Sequence, residues 1–208
     1  MLKKKFFFIV FDGVEGTGKT YQINKLYKNL KKKSLDVIKT REPGGSSTAE
    51  QIRKLIFSSK SVKFDKLTDF YLMNAARNEH FKNTLFPAKK KNKIVISDRF
   101  TDSTYAYQVI GKKIDKKINS MNQKYILKNF KPNLTIVLKA NFNTISSRIK
   151  KRKNNNKFDK LRNNFYKKAQ NAYLSLAKNN KSYLIFDSSN NTPELEKKIF
   201  NIVLNKIK

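Results

Sequence analysis

Short apolar runs alternate with amphipathic stretches along the chain, and the alternation predicts a repeating order of strands and helices. Lys5–Phe11 is apolar at nearly every position, as a strand buried on both faces would be. A glycine-rich turn separates it from a helical pattern over about Lys19–Lys32. Leu35–Thr40 predicts a second strand, then a Pro-Gly-Gly loop and a helix near Ser47–Phe57. Leu67–Phe86 has helical periodicity, and Lys93–Ser97 predicts a third strand. Helical segments reach to about Phe130, before a fourth strand at Leu134–Lys139. Phe142–Ala177 is helical but interrupted at Lys153–Lys157, which has no apolar side. Tyr183–Phe186 predicts a fifth strand and Pro193–Ile207 a closing helix. Five β-rich runs separated by helices predict an α/β fold with a parallel sheet covered on both faces. There is no internal repeat and no dividing linker, so residues 1–208 are read as one domain.

Composition supports that reading. Apolar residues make up 38% of the 208, including 16 Phe and 9 Tyr, too many for a disordered polycation. No cysteine is present, which excludes a disulfide framework and a thiolate nucleophile. The one histidine, His80, excludes a histidine metal cluster. No apolar run approaches the roughly 20 residues of a membrane helix. Met1–Phe11 imitates a signal peptide, but its apolar run is too short, lacks a small-residue cleavage site and meets Asp12. A soluble cytoplasmic protein with no membrane partner is expected.

The net charge of +32 first suggests nucleic acid, but its distribution points elsewhere. The basic residues are mostly lysines, spread over every segment and accompanied by 24 asparagines, the signature of AT-rich codon usage. A nucleic-acid footprint would concentrate on one side with aromatics interleaved, so no specific nucleic-acid partner is expected. Against this lysine background the seven arginines (Arg41, Arg53, Arg77, Arg99, Arg148, Arg152 and Arg162) mark places where a planar two-pronged cation matters.

Gly13-Val14-Glu15-Gly16-Thr17-Gly18-Lys19-Thr20 fits G-x-x-x-x-G-K-[ST] between a predicted strand and a predicted helix. Its glycines let successive backbone N–H groups face the phosphates of a nucleoside triphosphate, helped by the helix N-terminus. Lys19 is expected to reach the β/γ oxygens and the Thr20 hydroxyl to coordinate Mg²⁺. Thr40-Arg41-Glu42-Pro43-Gly44-Gly45 ends the second strand and Asp98-Arg99-Phe100 the third. Ligands of doubly wound sheets bind beyond these strand ends, so both segments should face the phosphate loop. Met73 and Arg77 share a helix face, as do Thr104 and Gln108, and an amide such as Gln108 suits a base edge.

Together the phosphate loop, T-R-E-P-G-G, an A-A-R helix followed by Glu-His, D-R-F-x-D-S-x-x-A-Y-Q and a basic lid resemble thymidylate kinase over nearly the whole chain. The resemblance implies a three-layer α/β/α P-loop kinase fold, a five-stranded parallel sheet and a short basic lid at about residues 148–162. It implies ATP-dependent phosphorylation of dTMP to dTDP in dTTP synthesis, with Mg²⁺ and usually as a homodimer. By motif, Glu15 is expected near the sugar hydroxyl of dTMP. Arg99 and Arg53, with Arg41 nearby, are expected to hold the acceptor phosphate. Asp98 should help place Mg²⁺, and Met73, Arg77, Thr104 and Gln108 should meet the thymine. Pro43 closes a tight turn beneath the substrate, with a cis bond one option.

Two departures stand out. Met73 occupies the position where the family usually stacks a Phe on thymine; a thioether still makes face contacts with a ring. The lid is rich in Lys and Asn, with Lys160 where an Arg is expected. Arg152 is the first candidate for the transferring phosphoryl, with Arg148 and Arg162 as alternatives. At the level of sequence, three other readings stay open: a kinase for another nucleoside monophosphate, a nucleotide-regulated nucleic-acid-binding P-loop protein, and a decayed enzyme kept as a binding protein.

Overall fold

Phe7–Asp12 forms strand β1 at the centre of a five-stranded sheet in a computed structural model that describes residues 5–58, 64–151, 163–190 and 192–207. The others are β2 (Val37–Arg41), β3 (Ile94–Asp98), β4 (Leu134–Lys139) and β5 (Tyr183–Asp187). All pairings are parallel, in the order β2–β3–β1–β4–β5. This is the expected α/β class.

Strand limits shift for local reasons. β1, β2, β3 and β5 each run one residue beyond the last expected position, into Asp12, Arg41, Asp98 and Asp187. These charged residues still pair in the ladder, Arg41 opposite Asp98 and Lys139 opposite Asp187. Polarity at a strand's carboxyl end marks function here rather than its termination. β2 starts late because Leu35 N donates to Leu30 O and completes the turn that ends the preceding helix.

That helix, α1 (Lys19–Lys32), buries Ile23, Leu26 and Leu30. The closing helix, Pro193–Ile207, buries Ile199, Val203 and Ile207 against the same sheet face, on Ile9 and Phe11 of β1 and Ile94 and Ile96 of β3. The alternate residues Phe8, Val10 and Val95 point to the opposite face, where Phe8 meets Phe100 edge-on at 5.1 Å. Burying side chains of this size contributes roughly 1.5–3 kcal/mol each.

Between β2 and β3 lie α2 (Ser47–Ser58), α3 (Lys66–His80), a π-helical turn (Phe81–Leu85) and α4 (Phe86–Lys90). One continuous helix over Leu67–Phe86 was the expectation. Pro87 lacks an N–H and its ring would meet the carbonyl four residues back, and the widened turn ahead of it accommodates both. After β3 come α5 (Thr101–Thr104), a second π-helical stretch (Tyr105–Gly111) and α6 (Lys116–Leu127), whose N-cap Asp115 accepts from Lys117 N at 2.6 Å. α7 (Phe142–Lys150) and α8 (Asn163–Ala177) flank the expected interruption, which lies outside the described residues; α9 is the closing helix. Among the described residues no helix is long and apolar enough to cross a membrane.

Candidate functional site

Gly13–Thr20 leaves the carboxyl end of β1 and opens α1. Gly13 has φ 138°, and a Cβ there would collide with the Leu138 carbonyl, so only glycine lets the loop pass β4. Gly18 caps α1 in a left-handed conformation without a side-chain bond, a geometry that turns the first N–H groups of the helix towards an anion. Lys19 folds back, its Nζ donating to the carbonyls of Gly13 and Val14, each at 2.9 Å. Burial, and then the neighbouring Arg99, lower its pKa to about 8.

Arg99 has φ 74°, unusual for a side chain of this size and characteristic of functional positions. Its Nη1 donates to Gly13 O (3.0 Å), Ser103 Oγ (3.1 Å) and Tyr173 Oη (3.0 Å), and its Nη2 to Glu15 Oε1 (2.7 Å). The other Glu15 oxygen accepts from the Tyr107 hydroxyl. Burial alone would raise Glu15, but Arg99 and Lys19 hold its carboxyl below the ordinary range. Asp12, at the end of β1, behaves oppositely. Burial and the nearby Asp102 push it up to about 8, and its Oδ2 has no hydrogen-bond partner among the described residues.

The T-R-E-P-G-G loop is built on buried ionic contacts. The Glu42–Pro43 bond is cis. Glu42 accepts from Arg77 Nε at 2.8 Å and faces His80 Nδ1 at 2.9 Å, while His80 Nε2 lies 2.6 Å from Thr40 Oγ1. Burial by itself would raise Glu42, yet Arg77 and the His80 hydrogen bond hold it below the usual carboxylate range. Arg77 Nη2 donates to Phe100 O (3.1 Å) and Thr104 Oγ1 (2.9 Å). Its Nη1 is buried with no partner among the described residues. Glu50 of α2 closes the loop by accepting from Gly45 N (2.9 Å) and pairing with both prongs of Arg41 (3.0 and 2.8 Å). Arg53 Nη1 donates to Pro43 O at 2.6 Å.

These groups line one cavity of about 630 Å³. Lys19, Thr20, Met73, Arg77, Thr104, Gln108, Glu15, Arg53 and Arg99 are all among its lining residues. The cavity thus gathers Glu15, Gly16, Gly18, Lys19 and Thr20 of the phosphate loop with every acceptor-side residue expected from sequence. Gly13, Val14 and Thr17 support the loop from behind. Arg41 lines the cavity while both its prongs pair with Glu50. Arg152, Lys160 and Arg162 lie outside the described residues. Arg148 binds the carbonyls of Gly16 (3.0 Å), Ser188 (2.9 Å) and Ser189 (2.9 Å), bracing the phosphate loop against the end of β5.

Thr20 Oγ1 lies 3.4 Å from Asp98 Oδ2, and Asp98 Oδ1 is buried without a partner among the described residues. A hydroxyl beside a carboxylate with an unused oxygen fits Mg²⁺, which takes one or two protein ligands and completes its shell with phosphate and water.

Sequence reasoning missed Asp12, Glu42, Glu50, Tyr107, His80, Ser103 and Tyr173 as contributors. Glu42, Tyr107 and Ser103 sit inside quoted motifs. The chain's one histidine, three residues after Arg77 in the quoted Glu-His step, was the available signal for His80.

A family model described as thymidylate kinase matches residues 11–199. The thymidylate kinase of Mycoplasma capricolum is 39% identical over 204 residues, covering 97% of this chain and 96% of that one. The thymidylate kinase of a Sulfurihydrogenibium species is 35% identical over 192 residues, 92% of this chain and 93% of its own. A crystal structure of thymidylate kinase from Ehrlichia chaffeensis superposes with a TM-score of 0.76 at 26% identity, covering 96% and 99% of the two chains.

Proposed function

The chain belongs to the thymidylate kinase family, and on that premise we propose how its residues divide the work. The reaction is ATP- and Mg²⁺-dependent phosphorylation of dTMP to dTDP, a step of dTTP synthesis. One observation carries the assignment of the base site. A buried Arg77 nitrogen without a partner among the described residues belongs to a side chain that lines the same cavity as the phosphate loop. A buried donor left unpaired costs stability unless a ligand supplies the acceptor. A thymine carbonyl is such an acceptor, with Thr104 holding the guanidinium and Gln108 beside it.

Arg99 and Arg53 hold the dTMP phosphate and Glu15 the deoxyribose hydroxyl. Lys19 leaves the carbonyls of Gly13 and Val14 for the β/γ oxygens of ATP. An oxygen of the dTMP phosphate then attacks the γ-phosphorus in line as its bond to the ADP oxygen breaks, with no enzyme-bound phosphate formed. Thr20 and Asp98 would hold Mg²⁺, which neutralises phosphate charge when bound. Lid arginines, Arg152 first, supply further charge, and the dry site keeps water from the γ-phosphoryl.

Coupled ADP release with ATP, Mg²⁺ and each common nucleoside monophosphate in turn tests this reading. The expected result is turnover that requires dTMP, with weaker responses to dUMP and the rest. Preference for a purine monophosphate would overturn the assignment of Arg77, Thr104 and Gln108.

We also propose a cytoplasmic homodimer. Supporting it, α3 packs between α2 and α6, and these helices carry exposed apolar side chains: Leu55, Leu67, Tyr71, Met121 and Tyr125. Isolated soluble surfaces rarely gather so many. Light scattering should give twice the 24.3 kDa chain mass, and Tyr71→Glu combined with Met121→Glu should shift the mass towards one chain.

A further inference from the structure

Tyr173 lies 74 positions from Arg99 in sequence, on the helix that follows residues 152–162, and no part of the proposed reaction uses it. It is wholly buried among Ala106, Tyr107, Ile145 and Ala169. A phenylalanine would fill that space equally well. A hydroxyl at such depth needs partners, and it has two: Arg99 Nη1 at 3.0 Å and Ser103 Oγ at 2.7 Å.

Counting hydrogens fixes the direction of this network, in which Asp12 Oδ1 accepts whether or not the other carboxyl oxygen carries a proton. Ser103 has one hydroxyl hydrogen, and Asp12 Oδ1 takes it at 2.7 Å. Ser103 must therefore accept from Tyr173, so Tyr173 spends its own hydrogen there and keeps its lone pairs for Arg99. Burial, against the opposing charge of Arg99, keeps the phenol protonated well above its ordinary range. Gly13 O, Ser103 Oγ and Tyr173 Oη thus share the two Nη1 hydrogens of Arg99. Among the described residues the remaining guanidinium hydrogens meet only Glu15.

We propose that Tyr173 is a positioning residue for the acceptor phosphate. Through its hydroxyl, and with Ser103 anchored on Asp12, it fixes the inner edge of the Arg99 guanidinium, which orients the outer edge towards the dTMP phosphate. α8 is itself fastened to the end of β4, where Gln170 bonds both Ala140 N (3.2 Å) and Ala140 O (3.3 Å). Orientation of the arginine therefore depends on the seating of this helix. The inference rests on the reading that Arg99 holds the acceptor phosphate.

Steady-state kinetics of Tyr173→Phe, Arg99→Lys and the double variant test it, with thermal melting alongside. Tyr173→Phe should raise the KM for dTMP about tenfold, the effect of losing one charge-assisted bond. The KM for ATP should stay within about twofold, and the melting temperature within a few degrees. Arg99→Lys should lose at least about tenfold in kcat/KM for dTMP, because an ammonium lacks the fork. Adding Tyr173→Phe to it should then change nothing further. If Tyr173→Phe fails to fold, Ser103→Ala carries the same expectations. The proposal is overturned by an unchanged KM for dTMP, by KM values for both substrates rising with a lowered melting temperature, or by losses that multiply in the double variant. An Arg99→Lys variant with normal dTMP kinetics overturns the reading of Arg99 and this inference with it. A damaged Arg99→Lys beside a normal Tyr173→Phe overturns the inference alone.

Discussion

Lys19→Ala should lower the kcat of dTMP-dependent ADP release by at least about 10²-fold, since on the proposed mechanism it deletes a buried cation at the transferring phosphoryl. In the ligand-free protein Lys19 also ties together the carbonyls of Gly13 and Val14, so part of any loss could come from a misshapen loop. Melting curves separate the two effects. An intact transition with collapsed turnover assigns the loss to chemistry, and near-normal turnover would remove Lys19 from the mechanism. The wild-type enzyme offers a second reading of the same group. Burial and Arg99 bring Lys19 to about 8, so it is cationic below that pH and neutral above it. The kcat/KM for ATP, which reports the free enzyme, should fall as pH rises through about 8.

Glu42→Ala is expected to destabilise the fold by about 3–5 kcal/mol, because it strips the counter-ion from a buried cation. Glu42 and Arg77 each expose only 4% of their side chains, and His80 none. Without the carboxylate, Arg77 Nε and His80 Nδ1 lose their acceptor, and the residue proposed to face the base loses its support. Glu42→Gln keeps an acceptor without the charge and should lose less. Denaturant titration measures both. Losses below about 1 kcal/mol for the alanine variant would show that the triad contributes nothing net. The pH dependence gives an independent check. Arg77 and His80 hold the folded Glu42 below its ordinary 4.5, so its contribution is fully present above that value and is lost as pH falls through the folded pKa. Wild type and Glu42→Ala should therefore converge in acid.

Both variants touch motifs that were readable in the chain, and the contrast between them shows what sequence can carry. Lys19 is specified by spacing to glycines within eight residues, and its location follows from the strand before and the helix after. The succession of five strands along the chain and the gathering of T-R-E-P-G-G and D-R-F beyond their ends follow from the same local patterns, whereas the order β2–β3–β1–β4–β5 in the sheet does not. Glu42 stands in a quoted motif, yet nothing in its neighbours reveals that its partners are Arg77 and His80, 35 and 38 positions away. Tyr173 lies in an ordinary amphipathic helix whose periodicity predicts a buried ring but not a hydroxyl aimed at Arg99. The π-helical turn before Pro87 escaped because periodicity counts apolar positions and tolerates one inserted residue. The pairing of Arg41 with Glu50 was likewise illegible, because it depends on how α2 returns along the loop.

One peptide unit deserves a mechanical reading. The Gly13 carbonyl accepts from Lys19 at 2.9 Å and from Arg99 at 3.0 Å, so a single oxygen serves as the common datum for two cations assigned to different phosphates. In the ligand-free protein, displacement of that peptide carries both cations the same way, so their spacing is kept before either substrate arrives. On the proposed mechanism ATP then draws Lys19 away while Arg99 keeps the contact, so the shared reference belongs to the waiting enzyme. The glycine that lets the loop slip past Leu138 also sets the zero from which both cations are measured.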